Sequence, residues 1–475
     1  MSTAIPSTFY PLFLQFAPAF TQPSFQNFVT VATGWMLCAG RHTLSRVIQH
    51  GIRMKGRKRH HATLYRFLSR AVWLTDAVGQ AMVHLVLPFL PEGPIWAIID
   101  DTLCHRSGPH LWGAGMHHDP TRSTYGVGTP VGRKVSFAFG HNWVILSLWV
   151  PAPWNPQRGL AVPVLFRLYR SKKLCPSGEY RKRTELALDL IQLLASWIGP
   201  TRRIVLISDS EYACRTLVQG LPAHVDFIGP MPKDAAFFEP PPTEPRMGRP
   251  RKKGARLPSP QELAESATVP WRSVVLPIYG RQVHAQVKTQ AGLWYRVAGQ
   301  RTVRMLLTRD PKGRIKDRAY VCTDLSLGIE QIAEGFSRRW TQEVMHREAK
   351  QHLGLEDPQN GFWRRLHGKR GRTKRPGPQP HPRRGHLAVL RTAPMAFTAY
   401  GVVVVWYFTC GSVHRDVQRV KQAAPWYRQK KEPSFADMLN AARRELWRAR
   451  LSANPSLRAV CSKVEQLLPE WLMAA

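Results

Sequence analysis

The chain has 475 residues, 44% of them hydrophobic, and sets 68 Lys and Arg against 31 Asp and Glu for a formal charge of +37 and a pI near 10.8. That length accommodates roughly two to four domains with sizeable cores, and the apolar share excludes a disordered chain. The charge selects a polyanionic partner, nucleic acid ahead of an anionic membrane surface. Seven scattered cysteines contain no CxxC pair, which excludes a zinc ribbon or a CxxC redox motif. Their odd number suits a reducing cytosol.

Residues 1–90 read as a helical N-terminal region. The first forty residues carry no charged side chain, lack the basic start of a signal peptide, and are interrupted by Pro6, Pro11, Pro18 and Pro23. A basic run containing Arg57, Lys58 and Arg59 then precedes the amphipathic stretch HATLYRFLSRAVW. Cations ahead of a helix suit phosphate contacts, so this region is a candidate DNA-binding module; a solvated basic surface is the plain alternative.

The stretch PIWAIIDDTL follows. Ile95 to Ile99 is the short apolar run of a strand buried on both faces, ending in Asp100 and Asp101. Adjacent carboxylates there are costly unless solvated, protonated or neutralised by a cation. The loop-like RSGPHLWGAGMHHDPTR holds His110, His117, His118 and Asp119, at spacings that match no zinc pattern. Residues 134–139 and 143–150 predict a hairpin around Gly140-His141-Asn142, and PAPWNPQRG a loop. A helix is predicted over 185–198 and a buried strand over 204–207 with Asp209 at its end. A second helix is predicted from Tyr212, and a strand over VDFIGPM. Asp209 reads equally as an N-cap, a task that Ser210 can also perform.

Composition changes at residue 230. A stiff proline run leads into basic PRMGRPRKKGARLP, where Arg249, Arg251 and Lys252 suit a minor-groove contact as well as a charged linker. Several short strands follow. Residues 327–353 predict one amphipathic helix, with Ile329, Ile332, Phe336 and Trp340 on a face that turns into Glu343, Arg347 and Lys350, with Arg339 close by. Gly354 supplies the stop. Residues 362–384 are crowded with Arg, Lys, His, Pro and Gly and predict a disordered or DNA-ordered loop. Residues 392–413 carry no charge and predict a buried core helix in preference to a membrane span. A helical tail closes the chain.

The spacing of Phe336, Arg339, Glu343 and Lys350 resembles the Tyr-x2-Arg-x3-Glu-x6-Lys signature of DDE-type insertion-sequence transposases, with Phe336 in place of the usual Tyr. The resemblance extends to LGLEDPQ, to the Asp-x-Thr at Asp100 and to the His-His-Asp loop, which it places along the DNA channel. It implies an α/β ribonuclease-H-like mixed sheet flanked by helices, with a β-rich insertion and helical N- and C-terminal regions. The expected divisions are 1–90, 91–230 (core, first part), 231–325 (insertion), 326–415 (core, second part) and 416–475 (tail).

Asp100, Asp209 and Glu343 are the implied catalytic and metal-binding carboxylates, with Asp101 the alternative first ligand. Two Mg²⁺ ions about 3.5–4 Å apart, for which Mn²⁺ can substitute, serve in-line displacement at phosphorus, and carboxylates suit such hard cations. Arg339 and Lys350 are implied DNA contacts. Arg347 joins them by helical phase, and Trp340 is a further candidate contact. The expected partner is double-stranded DNA, transposon ends and target, bound by a homodimer in a cytoplasmic, nucleoid-associated setting without a membrane. The alternatives are a domesticated, inactive DNA-binding relative and another ribonuclease-H-like nuclease.

Overall fold

The computed structural model describes residues 5–52, 60–107, 111–119, 135–242, 250–313, 317–357 and 386–452. The expectations for Arg57, Lys58, Arg59, His110, Arg249 and the basic stretch 362–384 lie outside the described residues. Five helices open the chain: α1 (Tyr10–Leu14), α2 (Gln22–Leu37), α3 (Leu44–His50), α4 (His61–Ser69) and α5 (Thr75–Val86). Their apolar faces join a core that includes Phe13, Phe28, Trp35 and Phe67, each at most 1% exposed.

The first strands are β1 (Ile95–His105), β2 (Gly115–His118), β3 (Phe137–Ala152) and β4 (Asn155–Tyr169). Then come α6 (Arg183–Ile198), β5 (Ile204–Ile207), α7 (Arg215–Gly220) and β6 (Val225–Pro230). β3 runs antiparallel to both β1 and β4, whereas β1, β5 and β6 are mutually parallel. A two-strand ribbon, β7 (Phe237–Phe238) with β8 (Arg256–Leu257), follows, together with α8 (Pro260–Glu265) and α9 (Tyr295–Ala298). The last strands, β9 (Arg272–Ile278), β10 (Arg281–Gly292), β11 (Val303–Arg309) and β12 (Arg318–Cys322), attach to β6 through β12. The result is one ten-stranded sheet, ordered β2-β3-β1-β5-β6-β12-β11-β10-β9 with β4 on β3. It is the mixed α/β sheet flanked by helices that the resemblance implies.

Three local expectations are corrected. The expected hairpin around residues 140–142 is one continuous strand, because Gly140, His141 and Asn142 stay in register with His105, Cys104 and Leu103 of β1. Gly140 is required there: a Cβ would meet the Cys104 carbonyl oxygen at 2.2 Å. The turn falls instead between β3 and β4, inside the expected proline loop. Likewise β1 does not end at Asp100, since its pairing with β3 continues to His105. The helix expected from Tyr212 starts at Arg215, and residues 209–212 form a turn in which Asp209 Oδ1 accepts from the backbone N–H of Glu211 at 3.0 Å.

The helix expected over 327–353 is two, α10 (Ile329–Arg338) and α11 (Trp340–His352), meeting at Arg339. α10 lies close to the sheet, since a Cβ on Gly335 would meet Trp96 at 2.4 Å. The Arg338 guanidinium is sandwiched between Trp96 and Trp149, 4.3 and 4.0 Å from their ring centres. Gly354, at φ +55°, ends α11 in the left-handed conformation that glycine adopts without strain.

The uncharged stretch forms α12 (His386–Cys410), the one described helix long and apolar enough to cross a membrane, and 89% of its most apolar window is buried inside the protein. Phe397 stacks on Phe166 of β4 at 5.3 Å. Near its start, buried Arg391 donates to the carbonyls of Leu68 and Trp73 at 3.1 and 2.7 Å, closing the end of α4. Helices α13 (Val413–Ala423) and α14 (Phe435–Ser452) follow, and α14 packs on α2 and α12.

Candidate active site between the parallel strands

β5 pairs with β1 only as far as Ile98 opposite Ile207. Asp100 and Asp209 both lie two residues past that last pair, where the two parallel strands part. From there Asp100 keeps β3 as a neighbour and loses β5, and the places where parallel strands part are common binding positions in α/β folds. Local sequence explains the placement: apolar residues fill Ile95–Ile99 and Ile204–Ile207, and the acids follow directly at Asp100 and after Ser208 at Asp209.

Alternation along β1 sends Asp100 and Asp101 to opposite faces. Asp100 is 9% exposed and faces the α10–α11 junction, where Arg339 Nη1 lies 3.6 Å from its Oδ2. The other Arg339 terminal nitrogen is 2.6 Å from Glu343 Oε1. One guanidinium therefore spans Asp100 and Glu343. Burial holds the Asp100 carboxyl well above the usual carboxylate range, and the charges of Asp101 and Asp209 push it further while Arg339 opposes them. Asp209 is also raised, by burial first and then by Asp101, against its backbone hydrogen bonds and Arg339.

Asp101 is held by three partners on the α6 side. Asn142 donates to it at 2.8 Å, Arg183 at 3.1 Å and the Tyr212 hydroxyl at 3.1 Å. Arg183 also pairs with Glu211 at 2.7 Å. Burial is the main cause that lifts Glu211 to about 7, with Asp101 and Asp209 adding to it and Arg183 resisting. Arg183, Glu211, Tyr212 and Asn142 carry no signature in the sequence. The available signal was the period of two along β1, which turns Asp101 away from Asp100.

A second cluster lies at the far end of β1. His105 bridges Asp119 at 2.8 Å and Glu356 at 3.0 Å. Lys350 donates to the Leu103 carbonyl at 2.6 Å and stands 3.6 Å from Glu356. His117 is buried against Tyr169 with Nε2 lacking a partner, and part of the expected loop is the short strand β2. Arg347 is more than half exposed and pairs with Glu348 at 3.0 Å. Trp340 is 49% exposed and lines a cavity of about 720 Å³ with Tyr279, Arg158 and Arg281. Arg251 and Lys252 are exposed, apart from the acidic residues in the sequence and carried ahead of α8. Phe336 packs its ring 4.6 Å from that of Tyr320, so an aromatic contact stands where the signature has tyrosine.

Among the described residues, no three His, Cys, Asp or Glu side chains are grouped closely enough to enclose a metal ion. The donors nevertheless fit a hard divalent cation in kind. They are carboxylate oxygens, and the Asp100 and Asp209 carboxyls are raised by burial first and by neighbouring carboxylates second, with the Arg339 guanidinium opposing.

The fold is thus a mixed α/β sheet that brings Asp100, Asp209 and Glu343 around one guanidinium. The family described as DDE superfamily endonuclease matches residues 15–295, more than half of the chain, and the protein belongs to that family. The match includes Asp100 and Asp209, whereas Glu343 lies beyond it. A search of curated proteins finds no match. The chain is similar to a solved structure described as a cryo-EM structure of a piggyBac transposase synaptic complex with hairpin DNA. Identity is 10%, the TM-score is 0.38, and the similarity covers 98% of this chain and 82% of that one. A likeness that loose carries no functional argument.

Proposed function

We propose that the chain is a DDE transposase that cleaves DNA strands at insertion-sequence ends and joins them to target DNA. The single observation that supports this best is Arg339, whose guanidinium holds Asp100 and Glu343 together beside Asp209. Asp100, Asp209 and Glu343 would hold the divalent ions, Mg²⁺ or Mn²⁺. Bound there, the ions would supply activation of a hydroxyl or water and stabilisation of the departing oxygen. Water would break a phosphodiester to leave a free 3′-hydroxyl. That hydroxyl would then bond to a target phosphorus and displace a target 3′-oxygen.

Asp101 takes a different task in this reading. With Tyr212, Arg183 and Asn142 it fastens the turn carrying Asp209 to β1, so it positions the metal ligands instead of joining them. Tyr212→Phe and Arg183→Gln are expected to lower cleavage about 10–100-fold, the range for groups that orient metal ligands. DNA affinity should hold and the Mg²⁺ needed for half-maximal rate should rise, with Arg183→Lys recovering part of the loss. Mg²⁺ titrations of the cleavage rate decide this.

Lys350, in contact with Leu103 and Glu356, would meet phosphate only after releasing them, whereas Arg347 and Trp340 are already exposed. Arg251 and Lys252 are further contacts in this proposal, which also takes residues 1–90 as a DNA-binding module and a homodimer as the acting form on duplex DNA. That no three His, Cys, Asp or Glu side chains among the described residues are grouped to enclose a metal favours a second reading, a DNA-binding relative without catalysis. Purified protein, a labelled transposon end and Mg²⁺ separate the two. Nicking that yields a 3′-hydroxyl supports the transposase, while binding without cleavage in either Mg²⁺ or Mn²⁺ leaves the binding protein.

A further inference from the structure

Between α13 and α14 the chain makes a short turn, Pro425–Tyr427, that displays two large aromatic rings. Trp426 is 76% exposed and Tyr427 55%, with ring centres 6.3 Å apart. Exposing that much aromatic surface is unfavourable unless something covers it. The surroundings indicate what does. Residues 411–431 contain six Lys and Arg and a single acid, Asp416. Asp416 is 2% exposed and already bound by the Tyr407 hydroxyl at 3.0 Å and by Arg444 at 2.6 Å. Arg428 and Lys431, next to the rings in the chain, are exposed, as is Arg415 at the start of α13. The face therefore presents cations and π-surfaces with no exposed carboxylate from its own segment to oppose an anion.

We infer that Trp426 and Tyr427, flanked by Arg428 and Lys431, form a stacking platform for an unpaired DNA strand. Base faces are hidden inside a duplex and open in a single strand, so protruding rings select the latter, while the cations follow the phosphates. A protein partner would call for acids to match, and the bare rings alone would not specify it. The platform is also linked to the proposed reaction centre. Glu432, next to Lys431, binds Arg158 at 2.8 Å and Asn155 at 2.6 Å. Arg158 lines the cavity shared with Trp340, the neighbour of Arg339. A strand freed near Asp100 would thus have a basic, aromatic surface to follow. This inference rests on the transposase reading for its source of unpaired DNA.

The test compares full-length protein with the Trp426→Ala/Tyr427→Ala variant by fluorescence anisotropy on two probes, a labelled oligothymidine and a blunt duplex. Both side chains are exposed, so the variant should melt like the parent. Its oligothymidine affinity is expected to fall about tenfold or more, with duplex affinity changed less than about twofold. Trp426→Phe/Tyr427→Phe should restore most of the loss. Equal losses on both probes, or no loss on either, would overturn the platform. So would a change in oligomeric state by light scattering, which would assign the rings to contact between copies. If the parent cleaves a transposon end while the variant binds oligothymidine normally, only the platform fails. If the parent binds neither probe, the transposase reading fails with it.

Discussion

Asp100→Asn is expected to abolish strand cleavage, by on the order of a thousandfold or more, while DNA binding stays within about twofold. The amide preserves size but cannot supply an anionic oxygen to a divalent ion. The same substitution should make the metal-free protein more stable at neutral pH. The Asp100 carboxyl is raised in the folded protein by burial and by Asp101 and Asp209. Folding therefore favours the protonated form, and stability is lost as pH rises above the ordinary aspartate value of 3.8, until the raised folded value is passed. Asparagine has no charge to desolvate, so its advantage is absent in acid and grows toward neutrality. Thermal melts at pH 4 and pH 7.5 without metal, then with Mg²⁺, give the decisive pattern. Mg²⁺ should raise the parent's melting temperature and leave the variant's nearly unchanged, because a ligand stabilises only the state that binds it. An Mg²⁺ response preserved in Asp100→Asn would remove Asp100 from the metal site.

Arg339→Ala carries the second large effect. Among the described residues its guanidinium is the one cation that reaches both Asp100 and Glu343 and also lowers Asp209. Removing it leaves a buried carboxyl facing two like charges without their main counterweight, the situation in which breaking a buried pair costs about 3–5 kcal/mol. Part of that cost is avoided when Asp100 takes a proton. Cleavage should fall about a hundredfold or more, through both lost phosphate contact and disordered carboxylates. Divalent ions should stabilise Arg339→Ala more than the parent, since they replace a missing positive charge instead of competing with one. Arg339→Lys should retain the charge yet recover little activity, because an ammonium cannot bridge two carboxylates as a planar fork does. A melting response to Mg²⁺ that is identical in parent and Arg339→Ala would show that guanidinium and metal do not share the site.

Much of this arrangement is legible without coordinates. The runs ending in Asp100 and Asp209 read as buried strands because aliphatic residues stop at an acid, and both strands are found. The helix expected over 185–198, the strand expected over VDFIGPM and the buried uncharged helix follow from their own patterns and are found at Arg183–Ile198, Val225–Pro230 and His386–Cys410. Other features depend on partners far away in the chain. Gly140-His141-Asn142 looks like a turn, but pairing with β1 about 35 residues earlier straightens it. The break between α10 and α11 falls at Arg339, whose guanidinium is drawn to Asp100 from another element.

Sequence by itself determined which side chains are acidic, which segments must be buried, and that the surface is strongly cationic, since composition and short-range periodicity set those properties. The tertiary structure alone decided that Asp100 faces Arg339 while Asp101 turns to Arg183 and Tyr212, and that β12 extends the central sheet from β6. Both outcomes come from contacts between residues about 80 to 240 positions apart, as with Asp101 and Arg183 or Asp100 and Arg339. The closing of such long loops is dictated by packing of the whole chain, so no local window of residues encodes it.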